Sequence, residues 1–536
     1  MKLKKGDKHM RSYYAHLEQA KPAVQNTIPS KPVYRSSAIF PVIQAEGISS
    51  RILFMGYWIL KRNIKEIACV ITLRSTEGTV LSRSTMSITE SKTYRIELHD
   101  QLALAGLSIT DDFMGSLEIE FFSTQNLVFP YPAVDINYYG PQFSTIVHTA
   151  QRVYNDFDDL RNNSQTAVPE SGFNIYAKDD QEPFFTLING AAACENNTVT
   201  MEFYNRDQEV LTHTLELGSL APYQTFFCFP ARLCDLKHFL KGDVGTAKIY
   251  FKVNWAFPRL VAGNWNHRFQ ALNITHTYYD CEKAVSKTDY WFTPKSGWHP
   301  ASLMIPVCAD TKHFTNVYFY PIYSPTHFSV GIEIYNEKGH LLGAKNPTTE
   351  VLSPSSELIK ISLKDLCEEL NIAPQENLAA RLYANEILNH PIPSRIKIGL
   401  DIGSTQKQLP CNICVNLQPF NPAYEGKPST FRWLPFLADQ PRPTVWIMNS
   451  SPQVEYEQTA KLTLTFFREK DPETLVYHLD LPANGFLTLD LSKHVDLKDF
   501  FGYHIGWLTV QSSNPYTTTY YFTESSVGIV GGDHGF

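Results

Sequence analysis

The sequence predicts an all-β chain of tandem immunoglobulin-like β-sandwiches, about four units of roughly 130 residues each. Three observations predict it. One hairpin signature recurs four times at nearly constant spacing. Each copy is followed by the same strand, short helix and strand. Aromatic residues make up 13% of the chain, with 28 Tyr and 33 Phe, an enrichment that favours pleated strands over helices.

The hairpins come first. They read ACVITLRSTEGTVLS, VTMEFYNRDQEVLTHTLEL, VGIEIYNEKGHLLGA and LTLTFFREKDPETLVYHLDL, with turns centred on 75–78, 205–208, 336–339 and 468–471. The turn starts lie 130, 131 and 132 residues apart. The flanks alternate apolar and polar, as half-buried strands do, and the polar centres carry tight-turn chemistry. Downstream come YRIELHDQLALAGL, FFCFPARLCDLKHFL, IKISLKDLCEEL and LTLDLSKHVDLKDFF, each a short strand running into one or two helical turns. That block predicts the crossing connection between the two sheets of a sandwich. A further strand follows in every unit: GSLEIEFF, GTAKIYF, AARLYA and GWLTVQ. A repeat this long matches a domain of about seven short strands rather than a solenoid turn.

Proline- and turn-rich stretches at 160–172, 293–302 and 437–444 mark the boundaries. They divide the chain into a flexible leader (1–35) and units at 36–165, 166–300, 301–440 and 441–536. Units one and three share AIFPV and LMIPV openings, and units two and four share PFFTLIN and PTVWIMN, as in a doubled pair.

Bulk properties remove several functions. The chain has 536 residues with 43% hydrophobic and 19% charged content, enough to bury large cores. Lys and Arg total 47 against 54 Asp and Glu, a net charge of −7, without the basic excess a phosphate-neutralising nucleic-acid binder needs. No apolar run approaches the length of a membrane helix, and the basic start MKLKKGDK leads into no apolar signal core. A cytoplasmic location is the default expectation, with signal-independent export left open. The nine cysteines are scattered, and CNIC at 411–414 has no second pair or histidine pair beside it, so buried thiols are expected rather than a disulfide framework or a zinc site.

The functional question centres on a loop written twice. FPYPAVDINYYGPQFSTIVHT in unit one and FPRLVAGNWNHRFQALNITHT in unit two place Phe-Pro and His-Thr at the same offset of 128 residues. Unit four ends on a shorter version carrying His534, and unit three has no histidine at the matching place. The segments fall on the last two strands of each sandwich, an end where such folds commonly carry binding groups.

Three readings follow. In the first, His148 and His276 are junction residues whose hydrogen bonds join neighbouring units. In the second, the loops bind a glycan or a protein partner. Tyr138, Tyr139 and Trp265 then supply stacking, and Asn137, Asn264, His148 and His276 supply polar readout. In the third, His148 with Asp156 and His276 with Asp280 form carboxylate-supported sites, or Asn155, Asp156, Asp158 and Asp159 offer oxygen ligands, although their spacing does not fit an EF-hand. No nucleophile elbow, Walker loop, dinucleotide fingerprint or HExxH motif is present. The expectation is therefore a non-enzymatic binding or scaffold module, without catalytic residue, metal or cofactor. The alternative is an enzyme acting on a carbohydrate or other polar small molecule between units one and two. Clustered His and carboxylate groups in a deep pocket would favour catalysis, exposed flat aromatics binding, and buried aromatics at a junction architecture.

Overall fold

The computed structural model describes residues 33–535, apart from 130, 149–150, 155–164, 277, 280–290, 293–300, 322–326, 353–354, 376, 388–391, 394–395, 405–407 and 454. Most of the leader and of the stretch 293–302 lies outside the described residues, as do residues 160–164, Asn155, Asp156, Asp158, Asp159 and Asp280. From Gln165 the expected linker 160–172 is already the first strand of unit two, Gln165–Ile175.

Unit one shows how a repeat is made. Its eight strands are Tyr34–Gln44, Ser49–Met55, Ile67–Ser75, Val80–Ile88, Thr93–Glu97, Phe113–Ser123, Val134–Gly140 and Phe143–His148. One antiparallel sheet runs first–sixth–third–fourth and the other fifth–second–seventh–eighth. The same order recurs in units three and four, and in unit two with Tyr278–Tyr279 added as a fifth strand beside the first. The helix Leu98–Leu104 follows the fifth strand and leads to the sixth, so it carries the chain from one sheet to the other. Leu236–Leu240, Leu363–Glu369 and Val495–Phe501 do the same in the other units. Buried Leu98 and Leu102 anchor the first of these helices under the sandwich. The two sheets of units one, three and four thus hold eight strands in each unit, and those of unit two nine, against the seven or so expected.

The fourth strands are outer edges, and their patterns show it. Val210–Leu220 and Thr474–Leu481 alternate exposed and half-buried positions. The eighth strands behave differently. Phe143–His148 and Ala271–His276 are buried at every residue, although half their side chains are polar. Such a pattern requires protein on both faces.

The ring explains it. The four eighth strands, Phe143–His148, Ala271–His276, Cys411–Leu417 and Val530–His534, pack around one another in the order one, two, three, four and back to one. The sandwiches therefore close on themselves. The hydrophobic core of unit one is continuous with that of unit four and takes in Val261, Leu272 and Ile274 of unit two. Core residues of units three and four also form one cluster.

One boundary shifts. Ser429–Leu437 pairs with Ile505–Ser512, so it is the first strand of unit four, not the end of a unit closing at 440. The proline-marked stretch 437–444 joins the two sheets of that sandwich. Proline and turn residues mark any reversal of the chain, within a unit as well as between units. Six of the eight described cysteines are buried.

Candidate functional site

The repeated histidines meet on the ring axis. His148, His276 and His534 each end an eighth strand, and closure of the ring brings their rings together. Ring centroids of His148 lie 4.4 Å from His276 and 4.3 Å from His534. Nε2 of His276 is 3.2 Å from Nε2 of His148. Asp533, next to His534, completes the group. One nitrogen or carboxylate oxygen from each of these four residues lies within 4.8 Å of the others.

The hydrogen bonds define how the rings are held. Asp533 Oδ2 lies 2.7 Å from His148 Nδ1 and accepts the His148 backbone N–H at 3.1 Å. Its other oxygen accepts the backbone N–H of His534 at 2.8 Å. His534 Nδ1 is 3.0 Å from the carbonyl of Gly535, so that nitrogen carries the proton and Nε2 presents a lone pair. Nε2 of His534 is buried and has no hydrogen-bond partner among the described residues.

Burial sets the electrostatics. Desolvation would push the Asp533 carboxyl up, but the neighbouring imidazoles, His148 above all, hold it well below the usual carboxylate range. Desolvation first, and His148 second, push the His534 imidazole down to about 4 and His276 well below the ordinary histidine value. Asp135 faces His148 across the strand pair and is 1% exposed. Its two oxygens have no hydrogen-bond partner among the described residues, and burial, then Asp533, pushes its carboxyl well above the usual range.

Beside the cluster opens a cavity of about 630 Å³. His148 and His534 form part of its wall, with Arg259, Asn416, Arg432, Tyr424, Tyr516 and Thr519 among the other lining residues. It lies chiefly between units three and four, at the central junction. Arg432 donates from Nε to the carbonyl of Thr517 at 3.1 Å and from Nη2 to that of Pro515 at 3.2 Å. No carboxylate pairs with it among the described residues, and burial pulls its guanidinium below the ordinary arginine value. Asn416 Oδ1 and Thr519 Oγ1, also on this wall, are buried without hydrogen-bond partners among the described residues.

The residues expected to form a binding surface occupy other places. Tyr138 is fully buried and donates its hydroxyl to the carbonyl of Pro41 at 2.6 Å. Tyr139 is half-buried, donates to Glu97 at 2.7 Å and lies under the Arg51 guanidinium. Asn137 accepts from Arg51 Nε at 2.8 Å and donates to the Ser144 hydroxyl and the Thr145 carbonyl. Asn264 donates to the Asn174 carbonyl and the Asn273 side chain and accepts from the Tyr176 amide. Trp265 is buried, with Nε1 3.4 Å from Gln270. Of the seven, His148 alone is among the residues lining the cavity.

His148 takes a carboxylate partner from unit four, 385 residues away; Asp156 and Asp280, the partners expected from the sequence, lie outside the described residues. Sequence reasoning missed Asp533, Arg432, Asn416 and Thr519. Only the adjacency of Asp533 to the third repeated histidine, in GGDHGF, offered a signal.

No family model matches the chain. No curated protein matches it either. Among solved structures, a tetra-tandem repeat in the extending region of a large adhesion protein aligns over 94% of this chain and 98% of its own length, at 8% identity and a TM-score of 0.10. The fold assignment rests on the strand pairing: the chain is an array of four β-sandwich repeats, and among the described residues no helix is long and apolar enough to cross a membrane.

Proposed function

We propose that the chain is a non-enzymatic binding module: a closed scaffold of four sandwiches that takes an acidic sugar into the cavity at its centre. The observation that carries this is Arg432, a guanidinium on the cavity wall with carbonyl partners and, among the described residues, no carboxylate. A half-buried cation of this kind calls for an anion, and its planar fork suits a carboxylate. Asn416 Oδ1 and Thr519 Oγ1 supply polar readout beside it, and half-exposed Tyr424 offers an apolar face of the sort that packs on a sugar ring. Asn137, Tyr138, Asn264 and Trp265 then serve as architecture, holding the strands that deliver His148 and His276 to the axis.

The full chain is the material to test, because the cores of units one and four are continuous. A glycan array comparing uronic- and sialic-type sugars with neutral ones comes first, followed by calorimetry on Arg432→Gln. Loss of one charge-assisted contact corresponds to about 10- to 100-fold weaker binding. Asn416→Ala, which removes an oxygen with no hydrogen-bond partner among the described residues, provides a variant that leaves the frame intact. Binding of neutral sugars alone, or unchanged affinity in both variants, overturns the reading.

One observation favours a catalytic alternative. His148, held by Asp533 at 2.7 Å, opens on the same cavity, the arrangement of a carboxylate-oriented general base. Turnover of a bound sugar that stops in His148→Gln would establish it in place of simple binding.

A further inference from the structure

We propose that Nε2 of His148, His276 and His534 form a transition-metal site of the zinc class on the ring axis, with the fourth coordination position open to the cavity.

The donor set is the first reason. Neutral imidazoles are the commonest ligands for Zn²⁺ and its neighbours, and three of them plus one exchangeable position is the pattern of an open site. Here Asp533 sits at His148 Nδ1 and the Gly535 carbonyl at His534 Nδ1. Both contacts fix the tautomer that leaves Nε2 with its lone pair, as the outer partners of metal-bound histidines do.

Geometry is the second. Two nitrogens at tetrahedral positions, each about 2.05 Å from a zinc ion, stand about 3.3 Å apart. The Nε2 atoms of His148 and His276 are 3.2 Å apart.

The third is the charge balance. Asp533 and Asp135 are both buried against this group, and the oxygens of Asp135 have no hydrogen-bond partner among the described residues. A dication placed there would face two buried carboxylates.

Repeat symmetry accounts for the open position. His276 lies opposite Val261, three residues before the Asn264–Asn273 pair. In unit three Val415 lies opposite Ile398, three residues before the Asp401–Asn412 pair. Val415 therefore occupies the histidine place of the fourth corner, and it lines the cavity. A ring with four histidines would close the coordination sphere. With valine at one corner, the ion keeps a position for water or for an anionic group of a ligand held by Arg432.

The inference deepens the reading of the same cavity, and a titration without any sugar separates the two, since either can succeed where the other fails. The full-length chain is stripped with a chelator and titrated with Zn²⁺ by calorimetry and with Co²⁺ by visible absorption. The expected result is one ion per chain with the intense d–d bands of a tetrahedral centre. His534→Ala and His276→Ala each abolish those bands, and His213→Ala, on an outer edge strand, leaves them unchanged. Asp533→Asn, isosteric at the outer partner, weakens affinity by about 10- to 100-fold. Circular dichroism confirms that each variant retains its strand signal. A folded wild-type chain that binds no stoichiometric ion overturns the proposal, as does Co²⁺ binding that survives both histidine variants. The 3.2 Å contact is then an N–H···N hydrogen bond between two junction histidines.

Discussion

Ring closure between the first and last sandwiches can be tested at Arg51. Its guanidinium is 1% exposed and reaches Asp439 of unit four through two contacts, Nη1 to Oδ2 at 2.6 Å and Nη2 to Oδ1 at 3.1 Å. Nε is held by Asn137, and the ring of Tyr139 lies 4.4 Å away. Asp439→Ala leaves a buried cation without its main partner, a change that typically costs about 3–5 kcal/mol. Glu97 remains 3.7 Å from Nη1, which places the expected loss near the lower end, about 3 kcal/mol. Replacing both partners with apolar residues, Arg51→Met with Asp439→Leu, removes the stranded charge, so the double variant should recover to within about 1 kcal/mol of the parent. Urea unfolding of the three chains, followed by tryptophan fluorescence, measures the losses. An Asp439→Ala loss below about 1 kcal/mol, or a double variant no better than the single, would refute the idea that this pair is desolvated by a closed ring.

Two other perturbations probe the same architecture. A Cβ at Gly531 would sit 1.9 Å from the Ser144 carbonyl oxygen and 3.0 Å from the Thr145 Cα, both backbone atoms across the unit four–unit one contact. Gly531→Ala should therefore force the two inner strands apart, disturb the 2.7 Å bond from Thr523 Oγ1 to Ser144, and cost about 1–3 kcal/mol. Hydrogen exchange at 143–148 should accelerate, and unaltered protection there would count against strand contact. His313 bridges Glu524 of unit four and Asp310 at 3.1 and 2.8 Å. The bond to Glu524, opposed by burial and helped by Asp310, raises its imidazole from 6.5 to about 9. A folded-state value above the unfolded one means that this stabilisation is complete below pH 6.5 and fades as pH rises through about 9. Thermal melts across that window should show a decline that His313→Gln lacks, and identical slopes in the two chains would exclude the bridge as its source.

Much of each sandwich was legible because its signals are local. The four hairpins alternate within a few residues of their turns, and the helical blocks announce themselves by Leu and Phe at helical spacing after a short strand. The structure places hairpin turns and helices where those signals stand. What links the sandwiches was not legible. An aromatic residue in an alternating strand reads alike whether its face meets solvent or a neighbouring core, so Tyr138 and Trp265 carried no mark of their burial. Asp533 and Arg432 act on partners hundreds of residues away or on a cavity that exists only after closure. The start of unit four at Ser429 was hidden for a related reason: its pairing partner, Ile505–Ser512, follows some seventy residues later. The repeated histidine was the one long-range feature visible beforehand, because duplication wrote it three times.

Closing the ring also has a kinetic side. The bonds from His148 to Asp533 span 385 positions of chain, while every hairpin within a sandwich spans a few. Loops that long are entropically slow to join, and contacts of this separation form late. During synthesis, Phe143–His148 emerges long before Val530–His534, and its polar and apolar faces wait without their final neighbour. Until the last inner strand docks, the inner faces of the early units stay open to mispairing with other copies of themselves. The refolding rate of the intact chain should thus be set by the docking of its latest inner strand rather than by the formation of any single sandwich.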